Sequence, residues 1–320
     1  MSNTLNVAII GAGRMAREHI RAFQDLPNVC VSGIFSRTKA RSEALATEFN
    51  IPLVCQSLSE LNERTGAQLG VVTVSAESMR AVACECFGFG WNLLLEKPPG
   101  YNLDEAEVIQ TAASKSSRKV WVALNRRFMS STRSALADLH KRPGPRHIQV
   151  LDQLDPILTA SFGHPSEIIE NLMFFSSIHA IDYLRVFGRG AVRSVRPVFE
   201  WSTSNPWIIA AAVDFEGGDT ALYQALWNAP GPWAVSVNTT EVRWEMRPLE
   251  RAAYQLAGQR SSIEVPQSDL DKKFKAGFRL QAEQVVDAVL GKPSEVPTLD
   301  EAMHTMHLIG KLYGLSSKKR

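Results

Sequence analysis

The stretch Asn6–Ala16, NVAIIGAGRMA, decides the fold. Leu5 to Ile10 form a short apolar run, Gly11, Gly13 and Ala16 follow at G-x-G-x-x-A spacing, and AREHIRAFQDL then repeats apolar residues at helical intervals. The order is strand, tight turn, helix. In such a unit the first glycine permits the turn, the second lets a pyrophosphate approach the backbone, and a small residue at the third position lets the helix pack close to the strand. The free N–H groups of the helix start then face the phosphates. Alone the triplet also fits a merely structural strand-to-helix turn. Its context favours a dinucleotide: a second β-like run, VCVSGIFS, ends about 20 residues further on, where ribose recognition is expected.

Outward from this unit the pattern repeats. KARSEALATEF, PLVC, SLSELNERT, LGVVTVSA, SMRAVACECF, WNLLLEKP, LDEAEVIQTAAS and VWVALNRRF alternate helix-like and strand-like pieces up to residue 124 or so. Alternation of this kind predicts a parallel sheet with helices on both faces, and the continuous apolar runs VVTV and LLL suit strands buried on both sides. Ligands of a doubly wound sheet lie beyond the carboxyl ends of its strands, so Gly11, Ser36, Ser75, Glu96, Lys97 and Asn125 are expected to converge there.

After Phe128 the character changes. SSTRSALADL reads as a helix, KRPGPR as a break, and HIQVLDQLDP as a half-exposed strand. WIIAAAVDFEGGDTALYQALW reads as two strands around an E-G-G-D turn, and AVSVNTTEVRWEMRP continues the β pattern. NLMFFSSIHAIDYLRVFG has helical spacing with a glycine stop, and two further helices lie around KAGFRLQAEQVVDAVL and DEAMHTMHLIGKLYG. The expected organisation is an N-terminal doubly wound parallel sheet over residues 1–124 and an α+β domain with an open, mainly antiparallel sheet over 125–320. The terminal helices are free to pack back on the first domain.

Composition narrows the function. The chain has 320 residues, 45% hydrophobic and 21% charged, an ordinary globular balance. Lys+Arg 35 against Asp+Glu 33 leaves +2, which argues against nucleic-acid or polybasic membrane binding, although KSSRK and SSKKR are locally basic. MSNTLNVAII lacks the basic start and apolar core of a signal peptide, so a cytoplasmic location is expected. Cys30, Cys55, Cys84 and Cys86 show no C-x-x-C spacing and read as buried free thiols. His304 and His307 are three apart but have no evident third partner, so no metal is expected.

The end of the second strand bears on which dinucleotide is bound. An acidic residue that would hold an adenosine 2′-hydroxyl is missing; the chain reads Ser36, Arg37, Thr38, with Lys39 and Arg41 close behind. A guanidinium binds a 2′-phosphate by charge-assisted hydrogen bonds where a carboxylate would repel it. This favours NADP(H) over NAD(H). The other reading keeps Arg37 as a solvent-exposed loop residue and NAD(H) held by backbone contacts. Chemistry points to Glu96-Lys97-Pro98 after WNLLL, where the proline restricts Lys97 to an extended turn and its ammonium can donate to a carbonyl or hydroxyl oxygen.

GAGRMA at 11–16, EKP at 96–98, NRRF at 125–128, IHAIDYLRVFG at 178–188 and the ending FRLQAEQVVDAVL…PTLDEAMHTMHLIGKLY follow one another over nearly the whole chain. In this the sequence resembles the Gfo/Idh/MocA family, the relatives of glucose-fructose oxidoreductase and inositol 2-dehydrogenase. The resemblance implies a Rossmann domain and an α/β domain whose open sheet makes homodimers or homotetramers. It also implies a nicotinamide cofactor and a small-molecule substrate, a sugar, sugar derivative or cyclitol oxidised or reduced at a secondary carbon.

Carried over by position, Lys97 is the catalytic lysine and His179 the catalytic histidine. Gly11, Gly13, Arg14, Met15, Ala16, Ser36, Arg37, Thr38, Ser75, Glu96, Lys97 and Arg127 fall to the cofactor; Lys97, Asn125, Phe175, His179 and Asp182 fall to the substrate. The main departure is Phe175, four residues before His179, where many members have an aspartate. A phenyl ring can neither hold nor tune a proton-transferring group. Asp182 either orients the imidazole or is structural. The loss of the carboxylate tilts the reading toward reduction, of a ketone or an imine. It also supports a second reading, a dinucleotide- or sugar-binding regulator without catalysis, against which Lys97 and His179 speak.

Overall fold

The computed structural model describes residues 4–315, so the terminal basic run SSKKR lies outside the described residues. The chain divides into two compact domains. One holds the chain up to Asn125 together with Leu270–Met303, and the other holds Arg126–Asp269 and the chain from His304 onward.

The first domain alternates β1 (Leu5–Ile10), α1 (Arg14–Gln24), β2 (Val29–Phe35), α2 (Lys39–Phe49), β3 (Val54–Cys55) and α3 (Leu58–Thr65). It continues with β4 (Leu69–Val72), α4 (Ala76–Cys86), β5 (Asn92–Leu95), α5 (Leu103–Ala113) and β6 (Val120–Val122). The six strands are parallel in the order β3-β2-β1-β4-β5-β6. The order reverses between β1 and β4, the switch point at which doubly wound sheets bind ligands. Val7, Ile9, Val71, Leu93 and Leu94 are wholly buried, as strands covered on both faces require. α1 packs through Ala16, Ile20 and Phe23, all at 0% exposure and spaced along one helical face.

The second domain begins with a 3₁₀ turn at Asn125–Phe128 and α6 (Ser130–Leu139), then β7 (His147–Leu154), α7 (Pro156–Ser161), α8 (Ser166–Glu170), α9 (Leu172–Phe175) and α10 (Ile178–Phe187). The strands β8 (Val192–Phe199), β9 (Ile208–Phe215), β10 (Thr220–Trp227), β11 (Ala234–Asn238), β12 (Val242–Met246), β13 (Ala252–Leu256) and β14 (Ile263–Val265) complete it. Its eight-stranded sheet runs β14-β13-β12-β11-β7-β10-β9-β8. Every neighbouring pair is antiparallel except β7 and β10 at the centre. On β10, Ala221, Tyr223, Ala225 and Trp227 are buried, whereas Leu222 between them is 36% exposed: one face is covered and the other is open. α10 lies against β7 and β11.

The chain then returns to the first domain. α11 (Asp269–Lys273) and α12 (Phe278–Val289) precede α13 (Leu299–Leu312), within which the division between the domains falls. Asp25, capping α1, accepts hydrogen bonds from Lys273 Nζ (2.7 Å) and Arg279 Nε (2.8 Å). The Val122 N–H donates to the Pro297 carbonyl at 3.0 Å, which closes the β6 edge.

Some expectations are corrected. The helix read continuously through NLMFFSSIHAIDYLRVFG breaks at Ser176–Ser177 into α9 and α10; serine favours a helix start over a helix interior. β8 is missed by alternation because Pro197 interrupts it, which an edge strand tolerates. Cys55 and Cys86 are buried free thiols, burial pushing Cys86 up to about 12, whereas Cys30 and Cys84 are half-exposed. Among the described residues no helix is long and apolar enough to cross a membrane.

Candidate functional site

In the first domain the glycine turn is fixed by sterics. Gly11 has φ +105°, and a Cβ there would lie 2.8 Å from both the carbonyl and the hydroxyl oxygen of Thr73 on the neighbouring strand end. Its N–H donates to the Phe35 carbonyl at 2.8 Å, which ties β1 to β2 where the ligand is expected. Gly13 is the opposite case. A Cβ there would meet nothing within 4 Å, and the residue is exposed. The turn therefore leaves backbone open to an incoming group.

α1 starts at this opening with no side-chain cap and no acidic residue in its first turn. Its first N–H groups and the positive end of its dipole suit a diphosphate. α3 and α5, by contrast, are capped by Ser57 and Asn102. Arg14 is exposed, Met15 half-buried and Ala16 buried. At the end of β2 the Ser36 hydroxyl accepts the Thr38 N–H at 3.1 Å and donates to the Thr38 carbonyl at 3.3 Å, shaping a turn from which Arg37 projects into solvent. A cavity of about 430 Å³ beside the glycine turn is lined by Gly13, Arg14, Arg17, Arg41 and Leu45. Arg17 is taken by Glu48. Arg37 does not line this cavity; Arg14 and Arg41 do, a pairing made by α1 and α2 lying side by side rather than by sequence proximity. These residues fit a phosphate-bearing dinucleotide. Ser75, exposed, precedes α4, and its hydroxyl is 3.1 Å from that of Ser78.

Lys97 follows β5 through a cis bond to Pro98 and is half-buried. Glu96, before it, turns inward and is 6% exposed. Its Oε1 lies 2.8 Å from His19 Nε2, and its Oε2 accepts the Lys97 N–H at 3.1 Å. Glu96 is expected at the cofactor, but its carboxylate is spent on His19 and the Lys97 N–H. His19 was not singled out, and its position in the α1 pattern is its only sequence signal. Asn125 is likewise committed, its Nδ2 donating to the buried Ala276 carbonyl at 2.9 Å.

In the second domain, α10 carries His179 in its first turn, 7% exposed. Asp182 lies one turn on and is 3% exposed. Arg127 donates to it twice, from Nε and Nη2, each at 2.7 Å, and the Thr305 hydroxyl adds a third bond at 2.8 Å. A forked guanidinium matched to a carboxylate is the strongest form of such a pair. Arg127 and Asp182, assigned separately to cofactor and substrate, are thus brought together on each other. Phe175 is half-buried, its ring edge-on to His164 at 4.9 Å. Arg126 stacks on Trp233 at 4.2 Å, and burial lowers its pKa. Beneath the sheet face covered by α10, Asp152 accepts the Tyr223 hydroxyl at 2.9 Å. Burial raises the Asp152 carboxyl against the opposing effects of Ser177 and Tyr223.

Comparison with known proteins agrees with this architecture. Residues 5–124 match the family described as "Oxidoreductase family, NAD-binding Rossmann fold". Glucose-6-phosphate 3-dehydrogenase of Bacillus subtilis is 26% identical over 125 residues, 39% of this chain and 35% of that protein. Myo-inositol dehydrogenase Hyg17 of Streptomyces leeuwenhoekii is 30% identical over 127 residues, 39% of this chain and 38% of that one. The matches thus span little more than a third of these relatives. A crystal structure from Desulfitobacterium hafniense, described as an NADPH-dependent oxidoreductase, superposes with a TM-score of 0.83 at 19% identity, over 100% of this chain and 97% of that one. Over residues 5–124 the chain therefore carries the NAD-binding Rossmann fold of the Gfo/Idh/MocA oxidoreductases.

Proposed function

We propose that the protein is an NADP(H)-dependent oxidoreductase that moves hydride between the nicotinamide and a secondary carbon of a sugar, sugar derivative or cyclitol, working in the reductive direction on a ketone. The observation that carries this reading is a lysine fixed at the end of β5 in the same domain as an open, uncapped glycine turn. When bound, the reduced nicotinamide supplies the hydride. Lys97 Nζ hydrogen-bonds the carbonyl oxygen, stabilises the charge that develops there and gives the proton that completes the alcohol. His179 assists in that proton transfer. Asp182, bound by Arg127 and Thr305, holds α10 and leaves proton transfer to other groups.

The preference for NADP(H) rests on Arg14 and Arg41 beside the turn, with Arg37 nearby, and on the absence of a carboxylate at the end of β2. Phe175, which cannot serve as a base, supports reduction over oxidation. The open face of the second sheet supports assembly into homodimers or homotetramers, and the composition supports a cytoplasmic enzyme with no nucleic-acid or membrane partner.

The test is NADPH consumption with a panel of keto-sugars, keto-cyclitols and small ketones, run beside Lys97→Ala. Turnover that vanishes with the lysine supports the enzyme. Saturable NADPH binding without turnover in either direction favours the non-catalytic regulator to which Phe175 also points.

A further inference from the structure

The His19–Glu96 pair has no place in the proton transfer proposed above, yet it lies one residue from Lys97. His19 is 1% exposed and Glu96 6%. The imidazole is flanked by the Phe278 ring, centroid 4.9 Å away, and by the Phe23 ring at 6.4 Å. Burying a carboxylate in such surroundings is costly unless it is paired, and replacing a buried polar pair with apolar groups of similar volume is often neutral or stabilising. Packing of α1 does not need the pair, because Ala16, Ile20 and Phe23 already fasten the helix with no exposed surface. What an apolar pair would not supply is the second bond of the carboxylate, to the Lys97 N–H.

We propose that His19 is a positioning residue: through Glu96 it holds the Lys97 peptide in place and ties it to the helix whose start receives the dinucleotide phosphates. The two carboxylate oxygens face different partners, so the group acts as a strut. With Glu96 ionised, His19 Nε2–H donates to Oε1 while Oε2 takes the Lys97 N–H. Any shift of α1 when phosphate binds at its start passes along this strut to the lysine backbone. Loss of His19 leaves Glu96 free to rotate or to recruit water, and the Lys97 side chain then starts from a different backbone position.

This inference rests on the reading of Lys97 as the proton donor, and its test separates the two. Lysines are reductively methylated with ¹³C, and the Lys97 resonance is identified by its loss in Lys97→Arg. Its chemical shift is then followed with and without NADP⁺ in the native protein, His19→Leu and His19→Gln. The glutamine keeps an N–H donor at the reach of Nε2, whereas leucine removes it. The expected result is a Lys97 resonance displaced in His19→Leu and restored in His19→Gln. On the substrate found by the panel, kcat should fall about tenfold or more in His19→Leu, with the glutamine recovering most of it, since small misplacements of catalytic groups cost this much. An unchanged Lys97 resonance in His19→Leu, or a glutamine no better than leucine, overturns the proposal. Should His19→Leu fail to fold, Glu96→Met removes the acceptor at similar volume and is read in the same way. The resonance needs no turnover, so a protein inactive on every substrate would defeat the enzyme reading while the strut is still decided.

Discussion

Two buried carboxylates, one in each domain, stand beside the two residues assigned to chemistry, and they are hydrogen-bonded differently. Asp182, one helical turn from His179, is gripped by the fork of Arg127 and by Thr305. Glu96, next to Lys97, is held by one imidazole nitrogen and one backbone N–H. Arginine stays charged at any pH the protein experiences, so the first pair is a permanent anchor. The imidazole offers Glu96 a single bond where the guanidinium offers Asp182 two, so the second pair leaves the other carboxylate oxygen for the Lys97 N–H. The contrast teaches that a carboxylate beside a residue assigned to chemistry is not thereby a catalyst: its partners decide whether it anchors a helix or links one element to another.

The largest effect expected from breaking this comparison is at the lysine itself. Lys97→Ala should lower kcat by about 10²–10⁴-fold, the usual worth of a positioned proton donor, while NADPH still binds saturably by fluorescence titration. Equal turnover in both proteins would remove the lysine from the chemistry. Next comes the anchor. Arg127→Leu leaves the Asp182 charge buried and should cost about 3 kcal/mol of stability, read as a lower urea midpoint. A midpoint within error of the native protein would mean that Asp182 finds other partners and is no anchor.

A smaller effect is expected at the dinucleotide turn. Arg41→Ala removes a guanidinium from the cavity beside the turn and, on the proposed NADP(H) reading, should raise the NADPH KM about tenfold with little change for NADH. Equal changes for both cofactors would show that Arg41 does not meet a 2′-phosphate. The smallest concerns Asp219, another buried carboxylate, held like Asp182 by an arginine. Burial alone would raise it, but hydrogen bonds from Arg189 and from the backbone N–H groups of Arg146 and Arg189 outweigh this and hold its pKa below the ordinary value. A depressed folded-state pKa contributes stability that is present above the unfolded value, near 4, and is lost as pH falls through the folded value. Asp219→Asn should therefore flatten the decline in thermal midpoint below pH 4 and lower the midpoint at neutral pH. An unaltered acid limb would assign the acid sensitivity to other carboxylates, such as Asp25.

Much of the first domain was legible in the sequence because its signals are local. The Gly11 turn, the helix after it and the buried runs at β4 and β5 each depend on residues within a few positions of one another, and the structure places them where periodicity did. The second domain was less legible. Its covered face is built by residues far apart in the chain, such as Tyr223 against Asp152, and its edge strand β8 carries a proline that masks the alternation. At the candidate site, the strand-end tripeptide singled out Lys97 and the family resemblance singled out His179, but neither told what surrounds them. His19 and Glu96 are 77 residues apart, Arg127 and Asp182 are 55 apart, and no periodicity links such pairs.

By itself, then, the sequence determined the class of the protein: a parallel αβ domain with a dinucleotide turn, a lysine held before a proline, and a second, largely antiparallel domain. These follow from backbone sterics and hydrophobic spacing, which act over short stretches of chain. Only the tertiary structure decided which polar groups satisfy which. It gave Asp182 to Arg127, Glu96 to His19, and the cavity beside the glycine turn to Arg14 and Arg41. A buried charge takes whatever partner the packed elements bring within hydrogen-bond reach, and that is settled only when helices and strands distant in sequence come together.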